Sequence, residues 1–283
     1  WRRLAERGIK IVEWHVDKDS GLLSHEDLDE LFTERTRMVA FPHCSNVIGH
    51  VNPVKEISEK AHAHGALCVV VGVAYAPHGL PDLKALGADI YLFSLYKSFG
   101  PHLGMMYVKN ELIKKMENQS HFFKEGITRS MLNPAGPDHA QIGSVSGILD
   151  YFDAVYAPHC TEEALPSQRN IALNRLFRSQ EKALLVPLLE FLRSRGDLKI
   201  LGPDYADQRV PTISILPLNK SVKKVYTDLT NHRLMLGMGN FYAVRPLMDM
   251  GIPLEPGVLR MSFLHYTSME DIDQLITGLK TAL

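Results

Sequence analysis

The residues best equipped for chemistry share one stretch, DIYLFSLYKSFGPHLGMMYV, residues 89–108. An apolar, aromatic-rich run at 90–93 reaches Ser94, and Tyr96 and Lys97 follow. Gly100, Pro101 and Gly104 come next, before a second apolar run at 105–108. A lysine at a strand end can form a Schiff base, bind a phosphate or sit in solvent, and residue type alone leaves all three open. Gly100 and Gly104 would let main chain approach a ligand closely. Ser94 adds a hydroxyl three residues ahead of the amine.

Delivering that amine requires a scaffold, and the first half of the chain alternates helical and strand patterns. A short helix at 1–7 ends at Gly8, and IKIVEWHV (9–16) reads as a strand. SHEDLDELF carries Ser24 as N-cap with Asp27 three residues later, a weak capping box. RTRMVAFPHCSN reads as a strand entering a polar turn, and PVKEISEKAHAHG as a helix opened by Pro53 and closed by Gly65. ALCVVVGVAY is apolar throughout, which suits a strand buried on both faces, and LPDLKALG is a short helix. Strand–helix–strand units of this kind predict an α/β fold, a mostly parallel sheet with helices on both faces. Ligands gather at the C-terminal strand ends of such sheets. Asn46, the turn bounded by Val71 and Ala74, and Lys97 all fall there.

Beyond Asp150 the pattern changes. A long helical stretch runs to about residue 196, with breaks expected near Pro158, Pro166 and Pro187. Short strands (KILG, TISILPL, LMLGMG, VLRMSFLHY) then alternate with two helices. The expected division is a partial large, cofactor-binding domain at 1–155, then an interdomain helix with a small C-terminal α+β domain at 156–283.

The chain has 283 residues, 45% hydrophobic and 22% charged, with a net charge of −1. That composition is ordinary for a globular protein and gives no electrostatic footprint for nucleic acid or an anionic membrane. No apolar run approaches the ~20 residues of a membrane helix. The three cysteines, Cys44, Cys68 and Cys160, are far apart and form no CxxC pair. This argues for a reducing, cytoplasmic setting and against a disulfide framework or a structural zinc. The chain opens at Trp1 inside a helical pattern without a cap, so it is expected to be the C-terminal part of a longer protein.

The 89–108 segment resembles the lysine region of the class V aminotransferase superfamily, of pyridoxal-phosphate fold type I, and its cysteine-desulfurase-like branch in particular. HCSNVIGHVNPVKEI is similar to that family's Ser-Asn-x-x-Gly turn, and GVAYAPH to its cofactor strand. NPAGPDH followed by GILDYF resembles a dimer-interface loop, and VLRMSFLHYTSMEDIDQL the C-terminal arginine strand and final helix. The resemblance implies pyridoxal 5'-phosphate as cofactor, a small amino-acid substrate and a homodimer. It makes Lys97 the Schiff-base lysine and proton shuttle, Ser94 a phosphate donor, and Asn46 a neighbour of the pyridine ring. Tyr96 stands where many relatives carry histidine. Arg260 would hold the substrate α-carboxylate, a task suited to a bidentate guanidinium, against the plainer reading of a salt bridge.

Three departures accompany the resemblance. Val71 stands where the family places the aspartate that keeps the pyridine nitrogen protonated, which weakens the electron sink. The loop GNFYAVRPLM offers Tyr242 where desulfurases proper carry a mobile cysteine, so persulfide chemistry is unsupported and Tyr242 is left as acid/base, substrate contact or an ordinary packed aromatic. The family's glycine-rich phosphate turn and ring-stacking residue precede the segment that begins here. The expected function is therefore a pyridoxal-phosphate enzyme acting on a small amino acid through Lys97. The rival is an impaired or non-catalytic relative with a binding or regulatory role. A nicotinamide oxidoreductase lacks its GxGxxG after a strand. Among weaker signals, His62 and His64 do not share a helix face and read as solvated or capping. His78 reads as pocket-lining or packed, and His102 and His139 flank glycine-proline turns.

Overall fold

The computed structural model of the chain describes residues 1–134, 136–160 and 164–283. Residue 135, within the NPAGPDH loop, and residues 161–163, within the long helical stretch, lie outside the described residues. The chain folds as two compact units. One comprises Trp1–Thr36, Ser45–His50 and Lys182–Leu283, the other Arg37–Cys44 and Val51–Glu181.

In chain order the elements begin with a 3₁₀ turn at Arg2–Arg7 closed by left-handed Gly8, then α1 (His25–Leu31). Ser24 caps α1 by accepting from the Asp27 amide, as its spacing predicts. The 9–16 segment is not a strand. Its only ladder contact is a single bridge from Val16 to Leu23, and Ile9 and Val12 are exposed. Strand-forming side chains are not enough without a neighbour to complete the ladder.

The second unit carries β1 (Met38–Pro42), α2 (Val54–Ala63), β2 (Leu67–Val71), α3 (Leu83–Leu86), β3 (Ile90–Ser94) and β4 (Gly104–Val108). The strand order is β1-β2-β3-β4, parallel up to β3, with β4 antiparallel to β3. This is the α/β, mostly parallel sheet that the sequence predicts. β2 lies between two parallel neighbours with Cys68, Val69 and Val70 fully buried, the physical reason for its unbroken apolar run. Asp89 anchors the approach to β3: its carboxylate accepts from the Cys68 amide and the Lys109 ammonium and bonds the His62 ring at 2.8 Å. Four helices follow: α4 (Asn110–Ile113), α5 (His139–Ser144), α6 (Ser146–Tyr156) and α7 (Pro166–Arg193).

Pro187 does not break α7. A proline inside a helix costs about 3 kcal/mol, and a fully buried leucine contributes roughly 1.5–3 kcal/mol. Leu184, Leu185, Leu188, Leu189 and Leu192 are all completely buried around it, so burial outweighs the lost hydrogen bond. Their core belongs to the first unit. It adds β5 (Leu198–Leu201), β6 (Thr212–Pro217), α8 (Val222–Asn231), β7 (Gly237–Gly239), α9 (Val244–Asp249), β8 (Val258–Ser262) and α10 (Met269–Ala282). The sheet is antiparallel in the order β5-β6-β8-β7. Ile213, Ile215, Leu259 and Met261 of the sheet pack against Val225 and Leu229 of α8 and Ile272, Leu275 and Leu279 of α10. Ser268 and Asp271 form a reciprocal capping box at the start of α10.

Candidate active site

Lys97 ends a 3₁₀ turn, Leu95–Lys97, in the loop that joins β3 to β4. The loop is closed by main chain. Leu95 donates to the Leu103 carbonyl at 2.8 Å, and the Leu95 carbonyl accepts from Ser98 and Gly100 at 2.8 and 2.9 Å. Gly100 has to be glycine, because a Cβ there would meet Ile148 Cδ1 at 2.5 Å and the Leu95 carbonyl at 3.1 Å. Phe99 adopts a left-handed backbone (φ 67°), a costly state for a non-glycine residue. Its ring packs with Tyr151 and Phe152 of α6, at 4.8 and 6.3 Å between centroids. Tyr96 and His102 stack at 4.4 Å within 8° of parallel on either side of the lysine in sequence. Lys97 itself is exposed. Among the described residues its ammonium has no ion pair and no hydrogen bond.

Val71 and Ala74 sit at the end of the neighbouring strand β2, both half-buried. Val71 pairs with Leu92, two residues before Ser94, so the parallel register brings the 71–74 turn and the Ser94 end of β3 to the same edge. Neither Val71 nor Ala74 offers a polar side-chain atom. The polar groups here are ones that sequence reasoning passed over. His43, immediately beyond β1, stacks on Tyr75 at 3.8 Å, and its Nδ1 shares a 2.7 Å hydrogen bond with the Tyr91 hydroxyl. Gly72 makes room for that hydroxyl, since a Cβ there would lie 2.1 Å from it. Burial pushes the His43 imidazole down to about 4 and raises Tyr75 and Tyr91, so the trio is neutral. The signal in sequence is a histidine just past β1, a tyrosine beyond β2 and a tyrosine within β3.

The first unit holds the other group of expected site residues. Asn46 lies in the Ser45–His50 turn, whose Ser45 hydroxyl accepts from the Val47 and Ile48 amides. The turn is tied to the antiparallel sheet. Ser214 of β6 donates to the Val47 carbonyl at 2.7 Å, and Val210 donates to the Gly49 carbonyl at 2.9 Å. Gly49 is left-handed (φ 69°), and a Cβ on it would sit 2.4 Å from the Thr212 carbonyl. Arg260 is in the middle of β8, paired with Ser214 and with Gly237. Its Nη1 donates to the Asn46 carbonyl at 2.9 Å, and its guanidinium carbon lies 3.8 Å over the centre of the Phe241 ring. Asn46 Nδ2 in turn donates to the Phe241 carbonyl at 2.7 Å. The structure thus brings Asn46 and Arg260 together, through a phenylalanine that the sequence did not single out. Tyr242, next along, is completely exposed on a left-handed backbone (φ 61°), its amide bonded to the Asn240 side chain.

Arg260 is half-buried, and loss of solvation lowers its pKa from the usual arginine value. Among the described residues no carboxylate lies within ion-pair distance of it. Among the described residues its company is the Asn46 carbonyl and the Phe241 ring.

The remaining residues noted in the sequence find structural partners. His62 is exposed and bonds Asp89, and His64 is the C-cap of α2. His78 is buried and bonded to the buried carboxylate of Glu181 at 2.7 Å. His139 is exposed at the first position of α5. Cys44 and Cys68 are buried, and burial pushes the Cys68 thiol up to about 11 despite a hydrogen bond from Ser58. Neither has the exposed, thiolate-favouring setting of a nucleophile. No helix among the described residues is long and apolar enough to cross a membrane.

The aminotransferase-like protein FGM3 of Gibberella zeae is 31% identical over 291 residues, an alignment covering 100% of this chain and 69% of that protein. The cysteine desulfurase-like protein ustD of Aspergillus flavus is 30% identical over 96% of this chain and 62% of its own length. The apo cysteine desulfurase of Thermococcus onnurineus shares the fold with a TM-score of 0.82 at 22% identity, over 99% of this chain and 68% of that one. The chain thus spans roughly two thirds of these relatives. Residues 1–275 match the family described as aminotransferase class-V, and the chain belongs to that family of pyridoxal-phosphate-dependent enzymes.

Proposed function

We propose that the chain performs pyridoxal-phosphate chemistry on a small α-amino acid, with Lys97 as the amine that binds the cofactor and Arg260 as the carboxylate clamp. The observation that carries this reading is the state of Arg260, a half-buried guanidinium stacked on Phe241 and without a carboxylate partner among the described residues. Lys97 supports it with a primary amine on a loop closed by main-chain bonds.

The donor set fits two parts of the cofactor. Lys97 supplies an uncommitted amine for the aldehyde, and Ser94 a half-buried hydroxyl that can donate to a phosphate oxygen. It does not fit the third, because Val71 gives a pyridine nitrogen only hydrocarbon. When bound, this cofactor supplies an electron sink for the charge left at the substrate's α-carbon. The chain's own groups do the rest. Lys97 Nζ takes and returns the α-proton. Asn46 keeps a second N–H on Nδ2 for an oxygen anion after serving Phe241. Tyr96 and Tyr242 present exposed phenols as donors to cofactor and substrate. Arg260 takes the carboxylate along the edge that Asn46 leaves open.

Lyase, epimerase and transaminase outcomes share these roles, and the loop at 239–248 carries no cysteine, so a persulfide route is unsupported. A homodimer, a cytoplasmic setting and a division of labour at residue 155 belong to the same proposal. Val71 favours a second reading, an impaired relative that holds its ligand without turning it over.

Borohydride reduction of the protein supplied with pyridoxal phosphate, followed by peptide mapping, tests the first reading. The cofactor mass is expected on the peptide containing Lys97 and absent in Lys97→Ala; mass spread over exposed lysines alike would overturn it. Val71→Asp separates the two readings, since turnover should rise if the electron sink alone is deficient.

A further inference from the structure

We propose that Phe241 is the positioning residue of Arg260, holding its guanidinium so that one fork faces an incoming α-carboxylate. This rests on the reading of Arg260 as a carboxylate clamp and adds the residue that sets its geometry. β8 fixes only the arginine's main chain, and a long side chain free to rotate must be ordered on binding. Here much of that ordering is done beforehand. The Phe241 ring covers one face of the guanidinium at 3.8 Å, and the Asn46 carbonyl occupies an N–H of Nη1 at 2.9 Å. What remains is the edge formed by Nε and Nη2, two parallel N–H groups that match the two oxygens of a carboxylate.

The surroundings hold the ring in that place. Gly237, the cross-strand partner of Arg260, leaves the slot, because a Cβ there would lie 2.7 Å from the Phe241 ring. Phe241 and Tyr242 both adopt left-handed backbone, φ 51° and 61°, which non-glycine residues keep only when their surroundings hold them there. Two hydrogen bonds do so, Asn46 Nδ2 to the Phe241 carbonyl and the Tyr242 amide to Asn240 Oδ1. Loop strain, a missing side chain on β7 and a turn two hundred residues upstream all converge on one ring orientation.

The test uses the full chain supplied with pyridoxal phosphate, L-alanine as the probe, and the Nε–Hε resonance of Arg260 assigned by comparison with Arg260→Lys. In the wild type that resonance should be displaced upfield by the Phe241 ring current, and its absence there overturns the proposal without any variant. Phe241→Leu should remove the displacement and weaken L-alanine about three- to tenfold, the worth of a cation–π contact partly shielded from water. Phe241→Tyr should restore both. Equal weakening in Phe241→Tyr would mark a merely structural role and overturn the proposal. Unchanged affinity in Phe241→Leu, with binding lost in Arg260→Lys, overturns the positioning and leaves the clamp standing. Unchanged affinity in Arg260→Lys overturns the clamp itself, and this inference with it.

Discussion

The loop that carries Lys97 and the cluster around Arg260 solve the same problem by opposite means. The lysine loop is closed by main-chain bonds among residues 95–103, and α6 comes in from further along to pack Phe99 and Gly100. The arginine cluster is built from three segments, around residues 46, 241 and 260, joined by side-chain hydrogen bonds and a ring contact. The amine proposed to react is left uncommitted by a loop closed through its main chain and packed through Phe99, whereas the cation proposed to bind is held by other side chains. Damage should therefore spread differently in the two places.

The largest expected effect lies at Gly49, where the Asn46 turn meets β6. Gly49→Ala should destabilise the protein by about 4 kcal/mol, combining left-handed strain with backbone overpacking. The added Cβ would stand 2.4 Å from the Thr212 carbonyl and 2.9 Å from that of Val210, neither of which can swing aside like a flexible side chain. Gly104→Ala is the matched control in β4, because nothing lies within 4 Å of a Cβ there. Urea unfolding of both variants checks the contrast. A small effect at Gly49 would mean that the Asn46 turn is not rigidly seated on the sheet, and the cluster would lose its claim to be aimed.

The same difference explains what could be read from the sequence. The lysine loop is local, so Ser94, Lys97 and Gly100 announce it within a few residues, and the apolar run of β2 announces its burial between parallel neighbours. Ser24 and Gly65 likewise mark helix ends by themselves. Phe241 could not be recognised, because its importance comes from the absence of a side chain at Gly237 and from a carbonyl bonded to Asn46. The 9–16 segment misled for a related reason: its side chains suit a strand, and a strand is a property of two segments. Pro187 looked like a break because local cost is visible in sequence, whereas the five buried leucines that outweigh it depend on the assembled core.

Acid sharpens the comparison, since a guanidinium keeps its charge and the groups beneath the lysine's sheet do not stay as they are. His43 is neutral in the folded protein because burial holds its pKa near about 4, against an ordinary value of 6.5. The groups facing it, Tyr75 and Tyr91, are phenols whose own ionisation burial suppresses, so neither offers a negative charge to welcome a proton. The unfolded chain binds that proton near pH 6.5 and the folded chain only near pH 4, so acid favours unfolding. His43's contribution is whole above pH 6.5, declines between there and about 4, and is gone below. Over that window it amounts to about 3 kcal/mol. His50, on the Asn46 turn, is lowered for the same reason and adds a loss of the same sign, so the whole-protein profile mixes both units. The difference between wild type and His43→Gln isolates the imidazole, because glutamine keeps a hydrogen-bonding group near the Tyr91 hydroxyl and does not titrate. Urea unfolding at pH 7, 5.5 and 4.5 should show the variant less stable at neutral pH but with a flatter decline. Parallel declines would mean that His43 takes its proton without leaving the fold, and the strand ends that carry it would then be more adaptable than the side-chain network that holds Arg260.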